Sequence, residues 1–378
     1  MRRAQYATLD LLLVGSLCLA VGCQSCSDCG CLEQAGPRGG SIADVSFAGR
    51  QVGYVVGSYG PLHGEQKGWV GVTADGGKTW SRRSLPEPVQ AVVALGPRVA
   101  VVAGARSIRR TADRGEHWRR VYDGNLAQVR ALCFADARTG LALLPAGSLR
   151  TDDGGQTWRQ LSHSRQGSPW SEDPYETNCP KRCRLFDVGR RGFAVFLDSI
   201  TLPSGEERCR DVLLETRDGG RHWSPVPVPA AGKARLITDM HFSADGRMGW
   251  LAVWRLGKRT AREREQLALG PVDHLVLATR DGGRSWNSVS LGDFRIDSIV
   301  FSADGQRGAV AGDLGGLMVS EDGGRHWTAG APSLSHRPGD SGLARLLLLS
   351  DDRTLVAIFS GGTGAIRTAD GPWHRIDP

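Results

Sequence analysis

Lysine is scarce in this 378-residue chain: only five of its 47 cationic residues are lysine, and the others are arginine. Arginine binds carboxylate and phosphate groups through a planar, forked guanidinium, so this composition favours an anionic partner or surface. A GC-rich genome would produce the same bias, and we favour that simpler explanation. The chain carries a formal net charge of +7.

Three common catalytic signatures are absent from the sequence. It contains no phosphate loop with Gly-Lys-Ser/Thr, no Gly-x-Ser-x-Gly nucleophile elbow and no His-Glu-x-x-His metal site. These absences disfavour the enzyme classes that depend on those motifs. Charged residues at 23% and hydrophobic residues at 40% are ordinary for a globular protein, which argues against wholesale disorder.

The apolar run Leu11–Val21 has only 11 residues, too few to span a bilayer as a stable helix. Arg2 and Arg3 precede this run, and small residues lead to Cys23 after it. A charged start, a short apolar stretch and small residues before a cleavage point are typical of a signal peptide. We therefore predict a signal peptide at 1–22.

The cleavage region resembles that of bacterial lipoproteins, which implies a lipid on Cys23 and a cysteine-rich tether at 23–40. The predicted location is the bacterial cell envelope, with a lipid anchor in a membrane. Gln24 follows the cysteine, and by resemblance to the enterobacterial sorting pattern this favours the outer membrane. Ordinary secretion with cleavage nearby is the alternative.

The chain has nine cysteines, two of which are Cys18 in the signal and the lipidated Cys23. Cys133 lies in an apolar segment, so we expect it to be a buried thiol. The other six form two groups of three, and an oxidising compartment favours disulfides among them. The tether spacing also resembles a metal or iron–sulfur site, but we predict no metal because lipidation leaves three thiols there. The tether group is Cys26, Cys29 and Cys31, and the disulfide candidates of the second group are Cys179, Cys183 and Cys209.

One pattern recurs along the chain: Thr/Ser-x-Asp-Gly-Gly-x-x-Trp. Asp-Gly-Gly between two strand-like runs predicts a hairpin turn, in which the carboxylate accepts backbone N–H groups of its own turn. The Trp can then bury against a neighbouring unit. Six near-complete copies and a shortened seventh contain, in order, Asp75 and Trp80, Asp113 and Trp118, Asp153 and Trp158, Asp218 and Trp223, Asp281 and Trp286, Asp322 and Trp327, and Asp370 and Trp373.

These residues resemble the Asp-box, or BNR, repeat. Most boxes follow an apolar strand, a short turn and a Gly-rich strand, as in Ile237–Phe242 and Met248–Val253. This fuller pattern resembles the photosystem II stability and assembly factor family over residues 41–378. The resemblance implies an all-β fold, a seven-bladed β-propeller of four-stranded antiparallel blades. In that family the box is structural: it joins the third and fourth strands and lies away from the ligand face.

Five long connections would then all fall on the face opposite the boxes, which predicts a partner-binding face there. A solvated loop and a lid packed on its own blade are the alternatives. The connections are 58–67, 162–182, 199–210, 256–273 and 333–341. The candidate partner-binding residues in them are Trp170, Tyr175, Lys258, Arg259, Arg262 and Arg264.

The resemblance implies a non-catalytic scaffold whose partner is a membrane protein or protein complex. A binder of envelope glycans or anionic polymers is the first alternative. A sialidase-like hydrolase is disfavoured because the Arg-Ile-Pro signature is missing and few tyrosines follow the signal. We predict no catalytic residues and no cofactor, and export disfavours nucleic acid as a partner.

Overall fold

The computed structural model describes residues 41–376 except 61–64, 125–128, 145–146, 162–178, 187–188, 202–206, 230–234, 257–271, 313–315, 331–342, 349–353, 360–363 and 369–373. These residues form seven four-stranded antiparallel sheets, each made of four consecutive strands. We call the sheets blades 1 to 7. The all-β expectation is confirmed, and no α-helix occurs in the described ranges.

Blades 1 to 3 occupy the N-terminal part of the described chain. Blade 1 contains β1 (Ser41–Ala48), β2 (Val52–Tyr59), β3 (Lys67–Thr73) and β4 (Ser81–Leu85). Blade 2 contains β5 (Val89–Ala94), β6 (Ala100–Gly104), β7 (Ser107–Thr111) and β8 (Arg119–Asp123). Blade 3 contains β9 (Ala131–Phe134), β10 (Gly140–Leu144), β11 (Gly147–Thr151) and β12 (Arg159–Gln160).

Blades 4 to 7 repeat this arrangement. Blade 4 contains β13 (Cys179–Phe186), β14 (Arg191–Thr201), β15 (Glu207–Thr216) and β16 (Ser224–Pro225). Blade 5 contains β17 (Arg235–Phe242), β18 (Gly249–Leu256), β19 (Val272–Thr279) and β20 (Asn287–Ser290). Blade 6 contains β21 (Ser298–Phe301), β22 (Gly308–Ala311), β23 (Leu317–Ser320) and β24 (Thr328–Ala329). Blade 7 contains β25 (Leu343–Leu348), β26 (Thr354–Phe359), β27 (Gly364–Thr368) and β28 (His374–Ile376).

The second strand of a blade is buried on both faces, and its sequence is apolar and rich in small residues. All four residues of β22 are buried, and so are Val52 to Gly57 of β2. A Cβ added to Gly312, just after β22, would lie 1.8 Å from the carbonyl oxygen of Arg295 in the preceding connection. Glycine at this position therefore allows the backbone of the blade and the incoming connection to meet.

The blades close into a ring through apolar packing. Seven buried clusters each join side chains of two neighbouring blades, and the last one joins blade 7 to blade 1. In that cluster Val356 and Ile366 pack with Val45, Val55 and Trp69. The inner strands β1 and β25 are also in contact. Within the described residues each blade is built from its own consecutive strands, so side-chain packing rather than strand exchange closes the ring.

The recurring Asp turns connect the third and fourth strands of their blades. The hydroxyl of Thr73 donates to Asp75 Oδ1 at 2.8 Å and accepts from the Gly77 N–H at 2.9 Å. Asp75 also accepts from the Thr79 N–H at 2.9 Å and the Thr79 hydroxyl at 2.6 Å. The carboxylates of Asp113, Asp153, Asp218, Asp281 and Asp322 accept equivalent bonds. Asp370 and Trp373 lie outside the described residues.

The Trp of each turn folds back on the turn and packs toward the preceding blade. Four of them donate Nε1–H to a glycine carbonyl of their own turn: Trp80, Trp223, Trp286 and Trp327. The ring of Trp118 in blade 2 meets Tyr54 of blade 1 edge-on, with centroids 6.4 Å apart. Trp158 joins a cluster with Val101 of blade 2. The turns therefore contribute directly to the blade interfaces.

Arginines add a second link between blades at the same end, which the sequence analysis missed. Arg150 of blade 3 donates to the carbonyls of Gly189 at 2.8 Å and Gly219 at 3.4 Å in blade 4. Arg191 of blade 4 donates to the Gly282 carbonyl of blade 5 at 3.1 Å. Each guanidinium thus holds turns of the next blade.

The prediction that Cys133 is a buried thiol is wrong. Cys133 on β9 and Cys183 on β13 form a disulfide, with Cα atoms 5.7 Å apart. The two strands are the inner strands of blades 3 and 4 and contact each other. Because 50 residues separate the cysteines in sequence, only the ring brings them together.

Two of the predicted long connections are shorter than expected. Residues 179–182 belong to β13 and not to the connection 162–182. Most of 199–210 extends the paired strands β14 and β15, in which Ser199 faces Cys209. Cys179 faces Leu197 from the other side of β14, so two strand spacings of about 4.8 Å separate Cys179 from Cys209. The backbones of Cys179 and Cys209 therefore lie on non-adjacent strands of blade 4, and a disulfide to either of them stays a prediction.

Candidate functional site

The inner strands of the blades begin at the end of the ring opposite the Asp turns. Because consecutive strands are antiparallel, this end carries the 2–3 connections and the connections between blades. We call it the partner end, and the end with the Asp turns the box end. Inner strands β1, β5, β13, β17 and β25 each have a register shift near their start, typical of a β-bulge. Bulges of this kind often redirect side chains beside functional sites.

The side chain that follows the bulge reaches the inner strand of the next blade. Asp44 Oδ2 accepts the Val92 N–H of blade 2 at 3.1 Å. Asp239 Oδ2 accepts the Ile299 N–H at 3.2 Å. In β21, which has no register shift, Ser298 makes the same kind of link, and its Oγ accepts the Leu346 N–H of blade 7 at 3.1 Å. An inner strand is the edge of its sheet, so these bonds satisfy backbone donors that no fifth strand pairs.

A buried group of charges lies between blades 4, 5 and 6. Lys181 of β13 pairs with Asp211, which is fully buried, at 2.8 Å. Asp211 also accepts the backbone N–H of Ile237 in blade 5 at 2.6 Å. The guanidinium of Arg182 lies 3.5 Å from Asp239. Two cations on the first strand of blade 4 are thus held in place by carboxylates at the partner end.

A buried aromatic pair, Trp254 and His274, lies beside these charges in blade 5. Trp254 of β18 donates its Nε1–H to the Ile296 carbonyl at 2.6 Å, and the Arg295 guanidinium stacks 4.6 Å from its ring. His274 meets Trp254 edge-on, with ring centroids 5.4 Å apart. Burial, and secondly the Arg295 charge, lower the pKa of His274, so this imidazole is neutral at pH 7. Trp254 and His274 lie on β18 and β19, the two strands that flank residues 257–271.

The partner end therefore combines two partly exposed cations, Lys181 and Arg182, with the buried carboxylates that hold them. The exposed parts of these cations can pair with an acidic group of a peptide segment. In the described part of the chain, no three His, Cys, Asp or Glu side chains are grouped closely enough to hold a metal ion. A search of the same residues for a helix long and apolar enough to cross a membrane finds none.

The predicted partner-binding residues lie outside the described ranges: Trp170, Tyr175, Lys258, Arg259, Arg262 and Arg264. The strands that flank them are described. β13 begins at Cys179, β18 ends at Leu256 and β19 begins at Val272, and all three positions lie at the partner end. The connections 162–178 and 257–271 therefore leave and re-enter the ring at this end.

The contacts of the polar residues of the inner strands with the next blade were not predicted from the sequence. A signal for them exists, because Ile42, Ile237 and Ile296 are each followed two residues later by a polar residue, Asp44, Asp239 or Ser298. The repeated position identifies a shared role. Its partner, a backbone N–H in the next blade, is not encoded in any local pattern.

No family model matches the chain. Over 143 residues, 36% of this chain and 31% of the relative, it is 26% identical to Photosystem II stability/assembly factor HCF136, chloroplastic, from Arabidopsis thaliana. Over 61 residues, 15% of this chain and 18% of the relative, it is 44% identical to Photosystem II assembly lipoprotein Ycf48 from Synechococcus sp. (strain CC9902). The matches thus span less than a third of the length of either relative.

A solved structure described as YCF48 bound to D1 peptide superposes with a TM-score of 0.55 at 18% identity, over 91% of this chain and 96% of that chain. At this identity the likeness shows the fold. The chain is a β-propeller. In sequence and in shape the propeller is similar to photosystem II assembly factors.

Proposed function

We propose that this propeller is an exported, non-catalytic scaffold that holds a segment of a protein partner at its partner end. The partner in this proposal belongs to a membrane complex under assembly. The observation that carries it is the likeness, over most of the chain, to a propeller solved with a peptide. The partly exposed cations Lys181 and Arg182 support this proposal, because they can pair with an acidic group of a peptide.

Capture of the partner in cells tests this function. The tagged propeller is crosslinked in its native host, and the bound proteins are compared between two variants. In the first, Lys258, Arg259, Arg262 and Arg264 are replaced by Gln at the partner end. In the matched control, the same number of cations is replaced in the box turns: Lys78, Arg221, Arg284 and Arg325.

The expected result is one membrane protein, captured by the wild type and the control but lost from the first variant. Equal capture by both variants would contradict the assignment of the partner end. Absence of any protein partner would contradict the scaffold function and favour an envelope glycan, which binding to purified glycans would then reveal.

Export and a lipid on Cys23 form part of the same proposal. The Cys133–Cys183 disulfide supports export, because disulfides persist in oxidising compartments. One relative is named an assembly lipoprotein, which supports the anchor. Placement in the outer membrane depends on Gln24 alone, and the comparisons add no support for it. Palmitate labelling that disappears in Cys23→Ser is the expected result, and unchanged labelling would exclude the anchor at this position.

A further inference from the structure

Exposed arginines are concentrated on the outermost strands of two neighbouring blades. β4 of blade 1 and β8 of blade 2 carry four of them: Arg82, Arg83, Arg119 and Arg120. The outermost strands of blades 3 and 7, which are β12 and β28, carry one arginine each, and those of blades 4, 5 and 6, which are β16, β20 and β24, carry no charged residue. We call the four arginines the basic wall.

The overall charge has the same asymmetry. Residues 41–124, which contain blades 1 and 2, have 12 cationic and 7 anionic residues, a net charge of 12 − 7 = +5. Residues 125–378 have 32 cationic and 30 anionic residues, a net charge of 32 − 30 = +2 over three times the length. Most of the net positive charge of residues 41–378 therefore lies in the blades that carry the basic wall.

Side-chain contacts fix three of the four guanidinium groups, and two of these contacts are to carboxylates. Arg83 of β4 pairs, across the gap between the two blades, with Glu116 in the Asp turn of blade 2. Arg82 stacks 3.9 Å from the ring centroid of Trp69, which holds its guanidinium in place. Arg120 pairs with Asp123 at 2.6 Å. Charged side chains along an edge strand also oppose pairing with the edge of another sheet, so a second copy docked by strand addition does not suit this surface.

We propose that the basic wall binds the anionic lipid headgroups of the membrane to which the chain is tethered. This inference rests on the proposed anchor at Cys23. Residues 24–40 connect that anchor to β1 of blade 1, and a fully extended segment of this length spans at most about 60 Å. Blade 1 therefore stays within this distance of the anchor, and an Arg or Lys that reaches the membrane surface gains from its negative potential.

This contact fixes the orientation of the ring. The outermost strands form the rim, so a membrane-bound wall stands the propeller on its rim beside the bilayer. The partner end then faces along the membrane, toward proteins embedded next to it.

Vesicle binding tests the wall separately from the anchor. The full chain with Cys23→Ser, which cannot be acylated, is sedimented with vesicles of phosphatidylethanolamine and phosphatidylglycerol, and with neutral phosphatidylcholine vesicles. The wall variant adds Arg83→Gln and Arg119→Gln. The matched control adds Arg284→Gln and Arg325→Gln, which remove the same charge from the Asp turns of blades 5 and 6. Circular dichroism establishes that all three proteins are folded.

We expect binding to the anionic vesicles that weakens about thirtyfold in the wall variant, from the loss of two arginines at the surface. The control should change by less than about threefold, because its arginines lie in other blades. Equal losses in both variants, or no binding of the parent chain to anionic vesicles, would overturn the proposal. If the wall variant instead loses a protein partner in the in-cell crosslinking experiment, an acidic protein surface is the ligand and the lipid proposal is overturned. Since the partner-capture variants alter neither Arg83 nor Arg119, the two proposals can fail independently.

Discussion

At the scale of single residues, one carboxylate organises each Asp turn. Asp153 accepts the N–H groups of Gln156 at 2.9 Å and Thr157 at 3.0 Å, and also the hydroxyls of Thr151 and Thr157. Burial alone would raise the pKa of Asp153, but the bonds from Thr157 and Thr151 outweigh it and lower the pKa to about 2. In the blade 1 turn, the Thr79 hydroxyl is the main cause that holds the pKa of Asp75 well below its usual range. The ionised carboxylate is thus the form that stabilises the fold.

Acid should therefore weaken the propeller through these turns. A lowered pKa in the folded state contributes stability above the unfolded pKa of about 3.9, and the contribution disappears as pH falls toward about 2. Asp153→Asn should lower the free energy of unfolding in urea at pH 7 by about 1 kcal/mol. The gap from the wild type should close at low pH. Asp293→Asn, at an exposed carboxylate in a connection, is the control and should change the free energy of unfolding at pH 7 by less than about 0.5 kcal/mol.

Arg150 offers a second prediction at this scale. Its side chain is only 14% exposed, and Arg150→Ala leaves two carbonyls of blade 4 without their donor. We expect a loss of about 2 kcal/mol in urea unfolding, because unpaired groups inside a protein are costly. Arg159 is the matched control, since it pairs with the same Asp152 at 3.1 Å but is exposed. Arg159→Ala should cost less than about 0.5 kcal/mol, and equal losses would contradict the role of Arg150.

At the scale of elements, the inner strands carry the links that join the blades. Each inner strand contacts the inner strand of the neighbouring blade. Side chains such as Asp239 and Ser298 accept hydrogen bonds from backbone N–H groups at the unpaired edge of that strand. The disulfide adds a covalent link between β9 and β13. Its cysteines pack inside the apolar cluster between blades 3 and 4. Polar, covalent and apolar links thus meet along the same strands.

Removing the disulfide should lower the stability of the whole ring. For a loop of 50 residues, the chain-entropy model gives about 4 kcal/mol. The double variant Cys133→Ala with Cys183→Ala should melt at a lower temperature in calorimetry. A reducing agent should lower the melting temperature of the wild type and leave that of the double variant unchanged. A shift of the double variant on reduction would mean that another disulfide stabilises the ring.

At the scale of the whole molecule, the ring joins its first and last blades by packing alone within the described residues. The cluster between blades 7 and 1 resembles those between the other blades, with Val356 and Val55 fully buried. Every pair of neighbouring blades shares a buried apolar cluster, so no interface of the ring lacks apolar packing. We therefore expect it to unfold as one unit.

Calorimetry of two interface variants tests this cooperativity. Val356→Ala acts at the junction of blades 7 and 1, and Leu143→Ala acts between blades 3 and 4. Each variant should still melt in a single transition, at a lower temperature than the wild type. The free energy of unfolding should fall by about 2 kcal/mol for the valine and about 3 kcal/mol for the leucine. A separate early transition in Val356→Ala alone would contradict the single unit. It would show that the ring opens at its junction before the other blades unfold.

Sequence reasoning recovered the sheets well and the site only in part. The strands Ile237–Phe242 and Met248–Val253 were placed because apolar residues and turns repeat at regular spacing. β17 contains the first, and β18 contains all of the second except Met248. The Cys133 prediction failed because an apolar neighbourhood does not distinguish a thiol from a disulfide. The prediction for 199–210 failed because polar and charged residues also occur in the paired strands of a long hairpin. Trp170 and Lys258 remain predictions.

The sequence by itself determined the all-β architecture and the Asp turns, because each turn is built from hydrogen bonds within eight consecutive residues. Only the tertiary structure decided which side chains meet across blades. Arg191 reaches Gly282 from 91 residues away, Asp239 reaches Ile299 from 60, and Cys133 bonds Cys183 from 50. No local pattern encodes such pairs, since they depend on how neighbouring sheets pack around the axis. For the same reason the polar partner end emerged from the ring and not from any one repeat.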